Sequence, residues 1–265
     1  MPENKKNDPL SQQIDSQYRR TYSPTYAWAD AISAYSAILG LRCFWPMSSV
    51  FTSANAIDHS HNARTLTANG TPVFRSAALV QYADYDGVND WHSRPDEAAL
   101  DILGTEAYIG PGHRGMTVGG WFRFSSLGST DILMAKSDAG AQQSFLLAKS
   151  ALNVVTFSVY AAGGGGGAAT VGTTVVSDST WYFIVGTFNP LLGQIKIFID
   201  DTIETLAAGV PAAIFNSTAD FTIGALSGGG FKFGGRATLC FYAAATLRDS
   251  YILSLYHISR ALFGK

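Results

Sequence analysis

The chain has little cysteine, little charge and little glutamate. Two cysteines, Cys43 and Cys240, stand in 265 residues, too few for a disulfide framework, and they read as buried free thiols. Charged residues make up 14% against 47% hydrophobic, with a net charge of −2. There is no basic run, and nucleic acid is set aside, because phosphate binding needs clustered Lys and Arg. No apolar run reaches the roughly 18 residues of a membrane span. The opening MPENKKNDPLSQQIDSQYRR lacks the apolar core of a secretory signal. The expectation is a soluble chain made in the cytoplasm, or an extracellular one if a leader was removed. The glutamates are Glu3, Glu97, Glu106 and Glu204, and none forms the closely spaced carboxylate pattern that a glycosidase strand supplies. A Gly-x-Ser-x-Gly elbow is missing, and the glycine run Gly163 to Gly167 lacks the Lys-Ser/Thr that would cradle phosphate.

What is present is β periodicity. From Trp181 to Asp201 the sequence reads WYFIVGTFNPLLGQIKIFIDD. Trp181, Phe183 and Val185 alternate with Tyr182, Ile184 and Phe188, and Ile195, Ile197 and Ile199 alternate with Lys196, Phe198 and Asp200. A period of two suits strands, and Asn189-Pro190-Leu191-Leu192-Gly193 carries turn chemistry between them. The first strand has two apolar faces, which puts this hairpin in the middle of a layered structure with another sheet across the core.

The hairpin resembles those of concanavalin A-like, laminin G-like jelly rolls: a Trp-led strand ending Gly-Thr-Phe, a turn, and a strand closing on Asp200-Asp201, where the family has Asp-Gly. Other pieces agree in order: Asp86-Gly87-Val88-Asn89-Asp90, Met116 to Phe122, Phe221-Thr222-Ile223-Gly224, Gly235-Arg236-Ala237, and a final run from Leu247-Arg248-Asp249 to Leu255-Tyr256. The resemblance covers residues 41 to 262. It implies an all-β, two-sheet antiparallel jelly-roll sandwich with an N-terminal arm and helix and a short C-terminal helix. It also implies that the strands of Cys43 and Cys240 lie side by side. For function it is open, since this architecture carries lectins, glycosidases, adhesion modules and structural subunits.

In chain order, residues 1 to 22 are polar and without periodicity, an arm. Ser23-Pro24 reads as a helix start and Gly40 as the residue past its end. Trp28, Ile32, Tyr35 and Leu39 fall at helical spacing as one apolar stripe, which either packs on the jelly roll or docks the chain into a larger assembly. The division expected is 1–40, an attachment segment, and 41–265, the jelly roll. Strands are expected at 41–45, 73–74, 79–82, 116–125, 131–136, 144–149, 153–160, 170–176, 181–188, 195–199, 221–225 and 236–243, a spacing typical of sandwiches. Asp96 to Leu103 reads as a helical turn or two, and the five glycines as a mobile hairpin tip. A C-terminal helix over 246–261 should present Leu247, Tyr251, Leu255 and Ile258 on one face.

Chemistry is sparse. Asp84 and Asp86 share a strand face and read as turn or surface residues. Asp58-His59-Ser60-His61 spaces two imidazoles for a metal, but without a third ligand it reads as a loop. Calcium stays open through the resemblance, with Asp131, Asp138, Asp178 and Asn189 available and none assigned. Asn69-Gly70-Thr71 and Asn216-Ser217-Thr218 fit the glycosylation pattern, which matters only for a secreted chain. Tyr85 and Trp91, beside the Asp86 turn, are the candidates for stacking on sugar rings. The favoured function is a non-catalytic decorating or adhesion subunit of a large assembly, such as a phage virion protein displayed on the particle surface and assembled in the host cytoplasm. Its contacts to other subunits run through residues 1–40, with Trp28, Ile32, Tyr35 and Leu39 as the assembly contact, and a surface glycan is a second partner. The alternative is a lectin-like carbohydrate-binding module, with or without calcium, and a glycoside hydrolase is the remote one.

Overall fold

The computed structural model describes residues 24–48, 54–77, 80–105 and 114–265. The arm at 1–22, the Ser23 cap and the loop at 110–112 lie outside the described residues.

Two antiparallel sheets stack face to face. Sheet A holds, in order, β13 (Thr202–Leu206), β12 (Gln194–Ile199), β11 (Trp181–Asn189), β6 (Met116–Phe124), β15 (Gly234–Ala243), β4 (Val80–Asp86) and β3 (Val73–Ala77), with β1 (Leu41–Trp45) also on β15. Sheet B runs β10 (Gly165–Val175), β9 (Val154–Ala162), β8 (Gln143–Lys149), β7 (Asp131–Ser137), β14 (Phe221–Ile223), β5 (Trp91–Arg94) and β2 (Thr67–Asn69). This is the expected jelly-roll sandwich. Among the described residues two α-helices, α1 (Pro24–Ser36) and α2 (Asp249–Ser259), pack with the sheets.

The two apolar faces of β11 each have a destination. Tyr182, Ile184 and Phe188 join Ile195, Ile197 and Ile199 in the core between the sheets, whereas Phe183, Val185 and Phe198 face outward beneath α1 and α2. The layer across the second face is therefore helical. Burying each of these large side chains contributes about 1.5–3 kcal/mol, which is why sheet A is covered on both sides.

Turn chemistry sets the register of the hairpin. Asn189 Oδ1 accepts the Leu191 and Leu192 N–H groups, each at 3.1 Å, and Gly193 takes φ +57°. At the far end, Asp200 takes the left-handed conformation at φ +56°, one residue before Asp201, which stands where the family has glycine. Its N–H donates to Phe183 O, its Oδ1 accepts the Phe183 N–H at 2.9 Å, and Lys265 Nζ reaches Oδ2 at 2.8 Å. Asp enters this region more readily than most residues, and the bonds to Phe183 and Lys265 hold it there. The tight turn at Asp200-Asp201 thus forms without glycine.

One bulge lets β1 and β4 share the same edge of β15. β15 pairs with β4 through Gly234–Ala237 and with β1 through Cys240–Ala243. Between them Leu239 takes φ +48° and the ladder to β6 shifts register. Thr238 Oγ1 closes the junction on Pro46 O at 2.9 Å and Gln81 O at 2.6 Å. Cys43 and Cys240 lie on neighbouring strands as implied, but Cys240 is opposite Trp45 and Cys43 opposite Tyr242, and both thiols are free and buried. Burial pushes both thiol pKa values up.

Several expectations need correction. The stripe of α1 is largely spent inside the chain: Tyr35 is fully buried with Ala31 and Ile38 against sheet A, Trp28 and Ile32 are half-buried on the same cluster, and Leu39 alone of the four is exposed. Tyr35 is therefore no assembly contact, since it stacks on Phe44 at 5.5 Å. The buried face of α2 is Ile252, Leu255, Tyr256 and Ser259, and Ile258 points outward. Residues 96–103 yield only a 3-10 turn at Ala98–Leu100. Of the five glycines, Gly165 to Gly167 belong to β10.

Candidate functional site

One end of sheet B gathers three segments: the β4–β5 turn, the start of β5, and the β14–β15 connection. The turn is built by its carboxylates. Asp86 Oδ1 accepts the N–H groups of Val88, Asn89 and Asp90 at 2.7, 2.9 and 3.3 Å, while Asp90 Oδ1 accepts the Thr71 N–H at 2.7 Å. The slight burial of Asp86 would raise its carboxyl pKa, but those N–H groups outweigh it and hold the pKa below the ordinary value. The turn thus carries Val88 outward, 70% exposed. Asp84, the other carboxylate of this strand, sits between Arg75 at 2.9 Å and Arg236 at 3.4 Å.

Of the two aromatic candidates, the structure keeps one. Tyr85 is only 3% exposed and cannot stack on a ligand, because its side chain points inward to His92. His92 Nε2 lies 2.8 Å from Ala54 O, which can only accept. Nε2 therefore carries the proton, and Nδ1 accepts the Tyr85 hydroxyl at 2.8 Å. Burial pushes the His92 pKa down to about 4. Trp91, the next residue along from this pair, turns the other way. Its ring is half-buried over Gly229, where a Cβ would come within 2.8 Å of the indole.

The β14–β15 connection supplies what sequence reading missed. Gly228 and Gly229 take φ +81° and +82°, and the loop folds so that Lys232 Nζ lies 5.5 Å from the Trp91 ring centre. The same ammonium donates to Gly229 O at 2.6 Å. Phe231 precedes it, 57% exposed and at φ +50°, with its carbonyl accepting the Ile132 N–H. A bulky residue in the left-handed region is strained, and such strain collects at functional sites. The run Gly228-Gly229-Gly230 followed by Phe231-Lys232 was the available signal. Its distance along the chain from Trp91 hid the pairing.

This rim offers an indole face, an exposed phenyl ring and an ammonium with donors to spare, a set suited to the C–H faces and hydroxyls of a sugar. Asp86 and Asp90 are committed to backbone N–H groups, so the rim offers recognition groups without an acid and base pair. A second concavity of about 370 Å³ lies between the β11–β12 hairpin and the start of α2, lined by Asn189, Gln194, Lys196, Thr246, Arg248 and Asp249. Its lining also includes Leu192 and Leu247 and no aromatic side chain.

Several of the residues considered for metals are used elsewhere. Asp58 is a loop hub: Oδ1 accepts from Phe44 N and Ser60 N, and Oδ2 from Ser60 Oγ and Arg64 N. His59 and His61 are exposed. Asp131 pairs with Lys149, Asp138 closes a turn on the N–H groups of Gly140 and Gln142, and Asn189 caps the hairpin. Among the described residues no group of three or more His, Cys, Asp or Glu is placed to hold a metal. No helix of the described residues is long and apolar enough to cross a membrane.

Comparison with known proteins agrees with the architecture. The chain resembles the binding domain of Paraclostridial Mosquitocidal Protein 1, with a TM-score of 0.63 and 13% identity over 82% of this chain and 52% of that one. It also resembles the binding domain of botulinum neurotoxin serotype G, at TM-score 0.62 and 11% identity over 82% and 51%. The binding domain of botulinum neurotoxin DC gives 0.59 and 11% over 84% and 52%. The chain spans about half the length of these structures, and at such identities the likeness is one of fold. No curated protein matches it in sequence. The family model described as the concanavalin A-like lectin/glucanases superfamily, in its laminin G group, matches residues 103–237, just over half of the chain. With both sheets and their register in place, the chain belongs to that superfamily.

Proposed function

We propose that the chain is a non-catalytic carbohydrate-binding module that holds a glycan on the rim formed by Trp91, Phe231 and Lys232. The observation that carries this reading is the half-buried Trp91 ring with Lys232 beside it and the exposed, strained Phe231 next in the chain, on a glycine-rich loop at one sandwich edge. The fold neighbours support it: the botulinum neurotoxin DC binding domain was solved in complex with SialylT, and cell entry of the type C toxin depends upon interaction with two ganglioside molecules. A glycan array probed with the purified chain tests the reading. Binding to a restricted set of glycans is expected, and an array without hits would remove the proposal.

A second reading is a decorating or adhesion subunit of a phage virion, exposed on the particle and joined to other subunits through residues 1–40. The polar composition of residues 1 to 22 and the scarcity of charge favour it. With Tyr35 spent inside the chain, attachment falls to the residues before the helix and to Leu39. Co-purification with particles, lost on deletion of residues 1–23, would support it, and particles that retain the shortened chain would exclude it. The two readings are compatible, since a displayed domain can also hold a glycan.

A further inference from the structure

Sheet edges invite pairing with another chain, and proteins guard them with charge, proline, shortness or cover. Four of the edges here are guarded. β2 has three residues, β3 carries Arg75, and β13 carries Glu204. β1 carries Arg42, and its carbonyls are taken by Asn62 and His59. β10 differs: its eleven residues, GGGAATVGTTV, contain no charge and no proline, and it is hydrogen-bonded to β9 alone among the strands. Its last residues lean on sheet A, through Thr173 Oγ1 on Glu204 Oε1 and Gly172 against Ile199. Among the described residues, the portion from Gly165 to Val171 pairs with no strand on its other side.

We infer that this open portion of β10 pairs antiparallel with the same strand of a second copy, across a two-fold axis at Ala169. Isologous pairing places each residue opposite its mirror position. Ala169 then meets Ala169, and the outward row Gly167, Ala169, Val171 meets Val171, Ala169, Gly167. Val171 thus stands opposite Gly167 on both sides of the axis. Gly167 is the position that the Tyr160 ring of β9 covers, where a Cβ would come within 2.7 Å of the ring. Val171, half exposed in the single chain, lands beside that ring in the second copy. The inward row, Ala168 and Thr170, continues the buried face of sheet B. With no charge on the strand, a second copy brings no like-charge opposition, and backbone N–H and C=O groups supply the affinity.

The experiment is sedimentation velocity on the full chain and on Ala169→Lys and Ala169→Glu, singly and mixed. Ala169 is exposed, so both variants keep the folded far-UV spectrum. The unaltered chain is expected to sediment as a dimer. Each variant alone should weaken dimerisation at least about a hundredfold, because like charges then face each other across the axis. Mixing the two should restore the dimer. A monomeric unaltered chain, or single variants that dimerise normally, would overturn the interface, and a mixture that stays monomeric would overturn the axis at Ala169.

Discussion

The Trp121 indole N–H donates a 2.9 Å hydrogen bond to Ser259 Oγ, joining the middle of sheet A to the last turn of α2. The same hydroxyl lies 3.4 Å from Tyr35 Oη on α1 and donates to Leu255 O at 2.6 Å. Around it Trp121 stacks on Phe263 with ring centres 4.0 Å apart. One serine thus fixes both helices over the sheet. Ser259→Ala would strand buried polar groups and is expected to lower the unfolding free energy by about 1–3 kcal/mol. Urea denaturation measures it, and an unchanged midpoint would show that the bond network is dispensable.

The sheets meet at Gly186, whose added Cβ would stand 2.5 Å from the Phe157 ring. Gly186 lies between Ile184 and Phe188 on the inward face of β11, and Phe157 fills the space it leaves. Gly186→Ala overpacks this contact and should cost about 1–3 kcal/mol. Thermal unfolding checks it; a melting temperature at or above that of the parent would contradict the packing.

Lys149 and Asp131 form a buried pair, with Nζ 3.1 Å from Oδ2 and also donating to Ser129 O at 2.6 Å. Burial raises the Asp131 carboxyl pKa even though Ser129 and Lys149 oppose the rise. Lys149→Met strands the carboxylate and should destabilise by about 3–5 kcal/mol, whereas Asp131→Leu combined with Lys149→Met should recover most of that loss. Equal losses in the single and the double variant would refute the pairing.

Acid should loosen the rim through His92. Its pKa is about 4 in the folded chain against an ordinary 6.5, so the unfolded chain binds more protons between those values. The stabilisation it contributes is complete above pH 6.5 and is lost as pH falls toward 4, amounting to about 3 kcal/mol. His92→Gln keeps a donor for Ala54 O and removes the titration. Unfolding free energy measured across this window should fall less steeply in the variant, and parallel curves would place the pH dependence elsewhere.

Strands were legible because each alternates between two environments. Ile195, Ile197 and Ile199 all enter the core, and 41–45, 116–124 and 181–189 are found where the period of two puts them. The face of α2 was misread because its buried row ends on Ser259, a polar side chain that hydrophobic periodicity cannot weigh, while Ile258 faces out. Tyr85 was misread because its partner, His92, is visible only once β4 of sheet A and β5 of sheet B are brought together by the fold. The Asp86 turn could be read from local chemistry, but Lys232 reaches Trp91 through the fold alone.

The most direct test of the glycan rim is calorimetric titration of an array-selected glycan into the unaltered chain, Trp91→Ala and Arg248→Ala. Trp91→Ala is expected to weaken binding at least about tenfold, the equivalent of about 1.4 kcal/mol, and Arg248→Ala, in the cleft beside α2, to leave it unchanged. Undiminished binding by Trp91→Ala together with loss in Arg248→Ala would contradict the account and move the site to that cleft.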